Sequence, residues 1–168
     1  MIVLGIDPGS RRTGFGILGE EPNRVRTIDY GTIKLDSKKN FPEKLKKISE
    51  TLTTLIKKHN PDFIAIEDCF YAKNVKSALK LGHVRGAIIL TAVKENLDVA
   101  EYTPLEIKKA VTGYGRADKG QVQQMMKILL NLTEIPKPDD SADALACAYC
   151  HIATYKLKNK ISNISQLI

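Results

Sequence analysis

MIVLGIDPGSRRTGFGILG, residues 1–19, decides how the chain is read. Ile2, Val3, Leu4 and Ile6 form a nearly continuous apolar run too short for a helix, which predicts a strand buried on both faces and ending at Asp7. Pro8 and Gly9 mark a turn. Residues 13–19 then predict a second strand, with enough glycine for another backbone to approach closely. Residues 24–35, rich in Val, Ile, Thr and Tyr, predict a third, and the short connections favour an antiparallel meander. Over residues 42–59 the pattern changes: Leu45, Ile48, Leu52, Leu55 and Ile56 recur every three or four positions, giving one apolar helical face. Asn60 and Pro61 stop that helix, and Phe63 to Ile66 form another buried strand running into Glu67 and Asp68. Further helices are expected at 74–95, 105–111, 119–130 and 139–155, with a short strand at 99–102. The predicted architecture is α/β: a mixed five-stranded sheet in the order 3-2-1-4-5, flanked by helices, with the later strands joined parallel to the first through right-handed crossovers.

The 168 residues suit one domain. Charged residues at 27% and hydrophobic residues at 43% exclude a disordered chain. The opening apolar run is too short, and too soon followed by an acid, for a secretory signal or membrane span, so a cytoplasmic protein with no membrane partner is expected. Three Cys in such a chain do not make a disulfide framework. Lys and Arg number 26 against 19 Asp and Glu, a net charge of +7 that suits an anionic partner, nucleic acid being the commonest large one. The lysines are spread from Lys34 to Lys160, so the same surplus also reads as a solvated surface.

The acids discriminate between these readings. If the strands ending at Asp7 and Glu67 lie side by side and parallel, both carboxylates emerge at the sheet edge where ligand sites concentrate. Neighbouring strands are about 4.8 Å apart and paired catalytic metals about 3.5–4 Å apart, so the two acids are placed to share or bracket such ions. A carboxylate at the end of a buried strand is costly unless it is paired or bound to metal, although acids there also cap turns. In DDSADALA, Asp140 and Asp143 stand three apart at the start of a helix and project from one face, while Asp139 reads as its N-cap. Acids in a first turn also suit the helix macrodipole. Together the four carboxylates, with no His or Cys near them, offer hard oxygen ligands that suit Mg²⁺ or Mn²⁺ rather than zinc. The substrate most often handled by such paired ions is a phosphodiester, whose polyanionic backbone the surrounding Lys and Arg would hold, less tightly as salt rises.

Other signals carry less. Cys147, Cys150 and His151 have the spacing of a haem attachment site, but they continue a helix whose buried side includes Ala144, Leu145, Ala148 and Ile152, and read as small core thiols. Cys69 has no His near it in sequence and reads as packing. The stretch from Gly9 to Gly16 has Phe15 after Gly14, not the Lys of a phosphate-binding Walker loop. ATPases built on the same kind of strand, Asp and Gly-rich hairpin need a duplicated core for which this chain is too short.

Four segments, IDPGSRRTGFG (6–16), AIEDCFYAKNVKSALKLGHVRG (65–86), KKAVTGYGRADKGQVQ (108–123) and DDSADALACAYCH (139–151), taken in order and spacing, resemble the RuvC Holliday-junction resolvases. The resemblance, which covers residues 1 to about 151, implies a ribonuclease-H-like fold; the domain is read as residues 1–155, with a basic C-terminal tail at 156–168 to which no role is assigned. It also implies a homodimeric, Mg²⁺-dependent endonuclease that nicks opposed strands of four-way junction DNA in recombination and repair, with a pair of Mg²⁺ ions per subunit and Mn²⁺ able to substitute. Asp7, Glu67, Asp140 and Asp143 match the family's metal-binding, catalytic acids. Phe70 matches an aromatic placed against junction bases, although a lone Phe after a strand also reads as core. Lys108 and Lys119 match basic positions near the catalytic centre. Lys73, Lys76 and Arg85 are read as backbone contacts, or else as a solvated helix face. Ile88, Ile89, Ala92 and Val93 are read as a dimer contact or as core. RuvA and RuvB branch-migration proteins are the partners the resemblance implies. A junction-binding architectural protein without catalysis, and a ribonuclease-H-like RNA-processing nuclease, are the alternatives.

Overall fold

The computed structural model of the chain describes residues 1–68 and 74–165. The expectations for Cys69, Phe70 and Lys73 lie outside the described residues. Five strands, β1 (Ile2–Asp7), β2 (Arg12–Glu20), β3 (Val25–Lys34), β4 (Phe63–Glu67) and β5 (Asp98–Tyr102), form one sheet in the order β3-β2-β1-β4-β5. The first three are antiparallel, and β4 and β5 add in parallel, as the short and long connections require. Five helices complete the chain: α1 (Phe41–His59), α2 (Val75–Lys94), α3 (Pro104–Thr112), α4 (Lys119–Leu129) and α5 (Asp139–Ser165).

The two-residue period of the strands sorts the core into two layers. Even-numbered Leu4, Ile6, Ile64 and Ile66 pack with Ile48, Leu52 and Ile56 of α1 and Val84, Ile88 and Ala92 of α2. Odd-numbered Val3 and Ala65 face the other way, onto Leu145, Ala146 and Ala148 of α5, with Ile107 of α3 and Met126 of α4 behind them. Each fully buried Leu or Ile contributes about 1.5–3 kcal/mol, so both layers must form for the sheet to be stable. Of the residues read as dimer contact or core, Ile88 and Ala92 are therefore core.

Helix ends follow local chemistry. Asn40 and Glu43 form a capping box at the start of α1, and Asn60 ends it in the left-handed region with φ of 46°. Asn74 caps α2. Capping boxes from Thr103 with Glu106 and from Asp118 with Gln121 start α3 and α4. Asp139 is not an N-cap: it is the first residue of α5, Pro138 holds the capping position, and the Asp139 carboxylate instead lies 3.4 Å from Lys119 Nζ. The helix expected to close near Tyr155 runs to Ser165, because residues 156–165 contain no Gly or Pro to stop it. Lys156, the first residue of the expected tail, is tied to Glu20 at 3.2 Å.

Candidate catalytic centre

The register places the acids before any side chain is considered. In the parallel pair of β1 and β4, Ile6 stands opposite Ile66, so Asp7 and Glu67 are the next positions on neighbouring strands and share the odd-numbered face covered by α5. Asp7 pairs with Gly14 of β2, and the backbone of Asp140 lies directly over that glycine. A Cβ on Gly14 would come 1.9 Å from the Asp140 carbonyl oxygen, and one on Gly5 would come 2.1 Å from that of Ala144. Gly5 and Gly14 thus form a notch into which α5 sinks, and this close approach brings the first turns of the helix over the end of β1.

The acids feel one another. Burial, then the Glu67, Asp143 and Asp140 carboxylates, push Asp7 up to about 8, against the opposing influence of Lys119. Asp143 is raised too, by burial first, with Lys119 opposing. Lys119 Nζ lies 2.9 Å from Asp143 Oδ2, and Arg12 Nε lies 3.7 Å from Asp140 Oδ2. Lys119 is the first residue of α4, the end where the macrodipole disfavours a cation, and its bonds to Asp143 and Asp139 compensate. Burial lowers its ammonium and those carboxylates outweigh the loss, leaving it raised.

Among the described residues no three acidic, His or Cys side chains are gathered as closely as the ligands of one ion. Lys119 and Arg12 stand among the acids instead. The donor set nevertheless fits a divalent cation: several carboxylates, one of them raised by burial and by its neighbours, and, among the described residues, no imidazole or accessible thiolate. Cys147 is fully buried within α5, and burial pushes its thiol well up.

A cavity of about 240 Å³ opens over this edge, lined by Glu67 and Asp143 together with Lys108 and Lys119. A second, of about 700 Å³, lies beside it between Arg12, Lys137, Asp139 and Asp140, with Lys119 shared. Sequence reasoning reached Lys108 and Lys119 but missed Arg12 and Lys137. The only signal for Arg12 is its place two residues before the glycine on which Asp140 rests. Lys76 is exposed on the first turn of α2. Arg85 is elsewhere engaged: its guanidinium is 2.5 Å from both Asp68 Oδ1 and Glu101 Oε1, tying α2 to the ends of β4 and β5.

A family model described as crossover junction endodeoxyribonuclease RuvC matches residues 3–151. The chain belongs to that family. The RuvC protein of Alkaliphilus oremlandii is 54% identical over 154 residues, covering 92% of this chain and 94% of its own. That of Citrifermentans bemidjiense is 50% identical and covers 98% of this chain and 99% of its own. Among solved structures, Thermus thermophilus RuvC in complex with a Holliday junction substrate superimposes with a TM-score of 0.90 at 29% identity, covering 94% of this chain and 96% of that one. The sheet order and flanking helices are thus those of the RuvC branch of the ribonuclease-H-like fold.

Proposed function

We propose that this chain is a crossover junction endodeoxyribonuclease that resolves four-way DNA junctions in recombination and repair by paired symmetric nicks. The observation that carries this reading is the convergence of Asp7, Glu67, Asp140 and Asp143, from three distant stretches of sequence, on one edge of the sheet beneath a cavity rimmed with lysine. These four acids would hold a pair of Mg²⁺ ions, or Mn²⁺ in their place. Bound there, such ions supply an activated water and stabilise the leaving oxygen of an in-line displacement. The chain's own groups do the rest. Lys108 and Lys119, on the cavity wall, hold the phosphate about to be cut and offset the repulsion between it and the carboxylates. Lys76, exposed on α2, would meet the backbone further out. Arg85 positions the end of β4, and with it Glu67, through Asp68. Phe70 and Lys73 remain assigned to the junction by family likeness alone.

Two nicks on opposed strands need two centres related by two-fold symmetry, and α2 supports a homodimer. Val75, Leu79, Leu90 and Val93 are each more than half exposed, and Gly82 and Gly86 between them meet, among the described residues, no atom within 4 Å of a built Cβ. They fall on one face at spacings of three and four, a seam suited to a second copy of the helix. Leu79→Glu is expected to give a folded monomer in light scattering, which binds the junction weakly and loses paired nicking. A Leu79→Glu protein that stays dimeric would reject this seam. RuvA and RuvB are the partners we assign by family, in the cytoplasm; no described helix is long and apolar enough to cross a membrane.

The direct test is Mg²⁺-dependent cleavage of a synthetic immobile junction, with nicks mapped on all four strands. Symmetric nicks on two opposed strands are expected, and no cleavage of an RNA–DNA hybrid. Junction binding that never yields nicks at any Mg²⁺ concentration would make the chain an architectural protein, and preference for the hybrid would make it a ribonuclease H.

A further inference from the structure

We propose that the groove between the end of β3 and the first half of α1 is a binding surface for the duplex arm of the DNA, on the flank of the catalytic edge away from α5. This surface rests on the reading of the chain as a junction nuclease and extends it to residues outside the catalytic centre.

The argument begins with strand direction. β1 and β3 are both antiparallel to β2, so both end at the same rim of the sheet, and α1 starts from that rim. Arg12, whose guanidinium approaches Asp140, pairs in register with Lys34, the last residue of β3. The next residue, Leu35, donates its N–H to the Arg11 carbonyl at 3.2 Å, which holds the two chain segments together just beyond the sheet. From Lys34 to Glu50 the sequence carries six lysines against three acids. All of them except Lys38 line a groove of about 340 Å³.

All three acids are already engaged. Asp36 accepts from the Lys38 backbone N–H at 2.9 Å, Glu43 lies 3.1 Å from Lys39, and Glu50 lies 3.7 Å from Lys46. Lys34, Lys44 and Lys47, which also line the groove, have no carboxylate partner among the described residues. Asp36 bonds only to a backbone N–H, so five lysines against three carboxylates line the groove, and the arrangement is explained if an external polyanion supplies the missing charge. The groove continues the line from Asp140 through Arg12 to Lys34, so the ligand it fits is the one whose cut phosphate the proposed function puts over the acids. Ammonium groups on flexible stems match a charge that repeats along a backbone and ask for no base identity, which suits a duplex arm of any sequence.

The test uses the full chain and a triple variant, Lys34→Gln, Lys44→Gln and Lys47→Gln, in which the apolar stems remain and the charge is lost. Junction affinity is measured against salt in Ca²⁺, so that strands stay intact, with arms of about 6 and about 20 base pairs, and on a plain duplex. With long arms the variant is expected to bind about 10- to 100-fold more weakly at about 0.1 M salt, with a salt slope shallower by about 2 to 3, since each phosphate contact contributes about 0.9. With short arms the difference should nearly vanish, and the corresponding Lys→Arg triple variant should bind like the parent. Equal affinity and slope for parent and variant on long arms would overturn the proposal and leave the lysines for an acidic protein partner. An equal loss on short and long arms would overturn it too, by placing them at the crossover. If the parent chain neither nicks nor selects a junction, yet the variant still loses affinity for plain duplex, the nuclease reading fails and the groove stands as a duplex site.

Discussion

Replacing Asp7 by Asn is expected to lower Mg²⁺-dependent junction cleavage by about 10³- to 10⁴-fold, the several kcal/mol that metal-assisted stabilisation of the transition state supplies. The same change is expected to make the metal-free protein more stable. Asp7 titrates at about 8 in the folded chain because it is buried and faces Glu67, Asp143 and Asp140, whereas its ordinary value is 3.8. A group raised in this way binds its proton more tightly when folded, so its stabilising contribution is complete below about 3.8 and disappears as pH climbs through about 8. At pH 8 in EDTA the wild-type chain therefore carries a repulsion that the amide lacks. Asn should raise the melting temperature there by about 4–8 °C, corresponding to about 2 kcal/mol at this chain length. Near pH 4 the two proteins should melt together. Added Mg²⁺ should stabilise the wild type more than the variant, and junction affinity should change little, since the proposed role of Asp7 is to hold metal rather than DNA. Normal nicking by Asp7→Asn, or a lower melting temperature at pH 8, would remove the acid from the centre.

The second large effect concerns a residue with no side chain. Gly14→Ala would drive a methyl group onto the Asp140 carbonyl, and Gly5→Ala would drive one onto the Ala144 carbonyl and the Ala148 side chain. Backbone cannot swing aside as a flexible side chain can, so α5 must lift from the sheet in both variants. At Gly14, near the start of α5, the lift moves Asp140 and Asp143 away from Asp7. Cleavage should fall by about 100-fold or more, because a displacement near 1 Å is enough for that. At Gly5, under the middle of the contact, the main consequence should be stability, a loss of about 3 kcal/mol or more in urea titration with a lower midpoint. A Gly14→Ala protein that cleaves normally would show that the close seat of α5 is not what sets the acids.

Much of this was legible in the sequence because the signals were local. The nearly continuous apolar run of Val3, Leu4 and Ile6, the Pro8–Gly9 turn and the three-and-four spacing from Leu45 to Ile56 each act within a few residues, and the resulting strands and their order agree with the structure. The acids were legible for a related reason: a carboxylate that ends a buried apolar strand is costly unless paired, and although one such acid also caps a turn, Asp7 and Glu67 taken with Asp140 and Asp143 make a stronger signal. What escaped depends on contacts between distant segments. Arg12 reads as an ordinary surface cation until Asp140, far along the chain, is seen beside it. Arg85 looked like one more basic residue on a helix face, and only the fold reveals that Asp68 and Glu101 hold it. Asp139 carried a capping signal, but the helix starts one residue earlier than that role requires and Lys119 claims the carboxylate. The end of α5 was misread for want of a breaker, since lysine, asparagine and serine neither favour nor forbid another turn strongly.

Asp140 and Asp143 are mounted on a rod of 27 residues, about 40 Å long, that extends unbroken to Ser165. A fluorophore, a purification handle or a surface tether fixed near Ser165 is therefore carried by the same helix as the aspartates proposed to hold metal. One fixed at Met1 acts on the opposite rim of the sheet, beyond Ile2, and leaves them undisturbed.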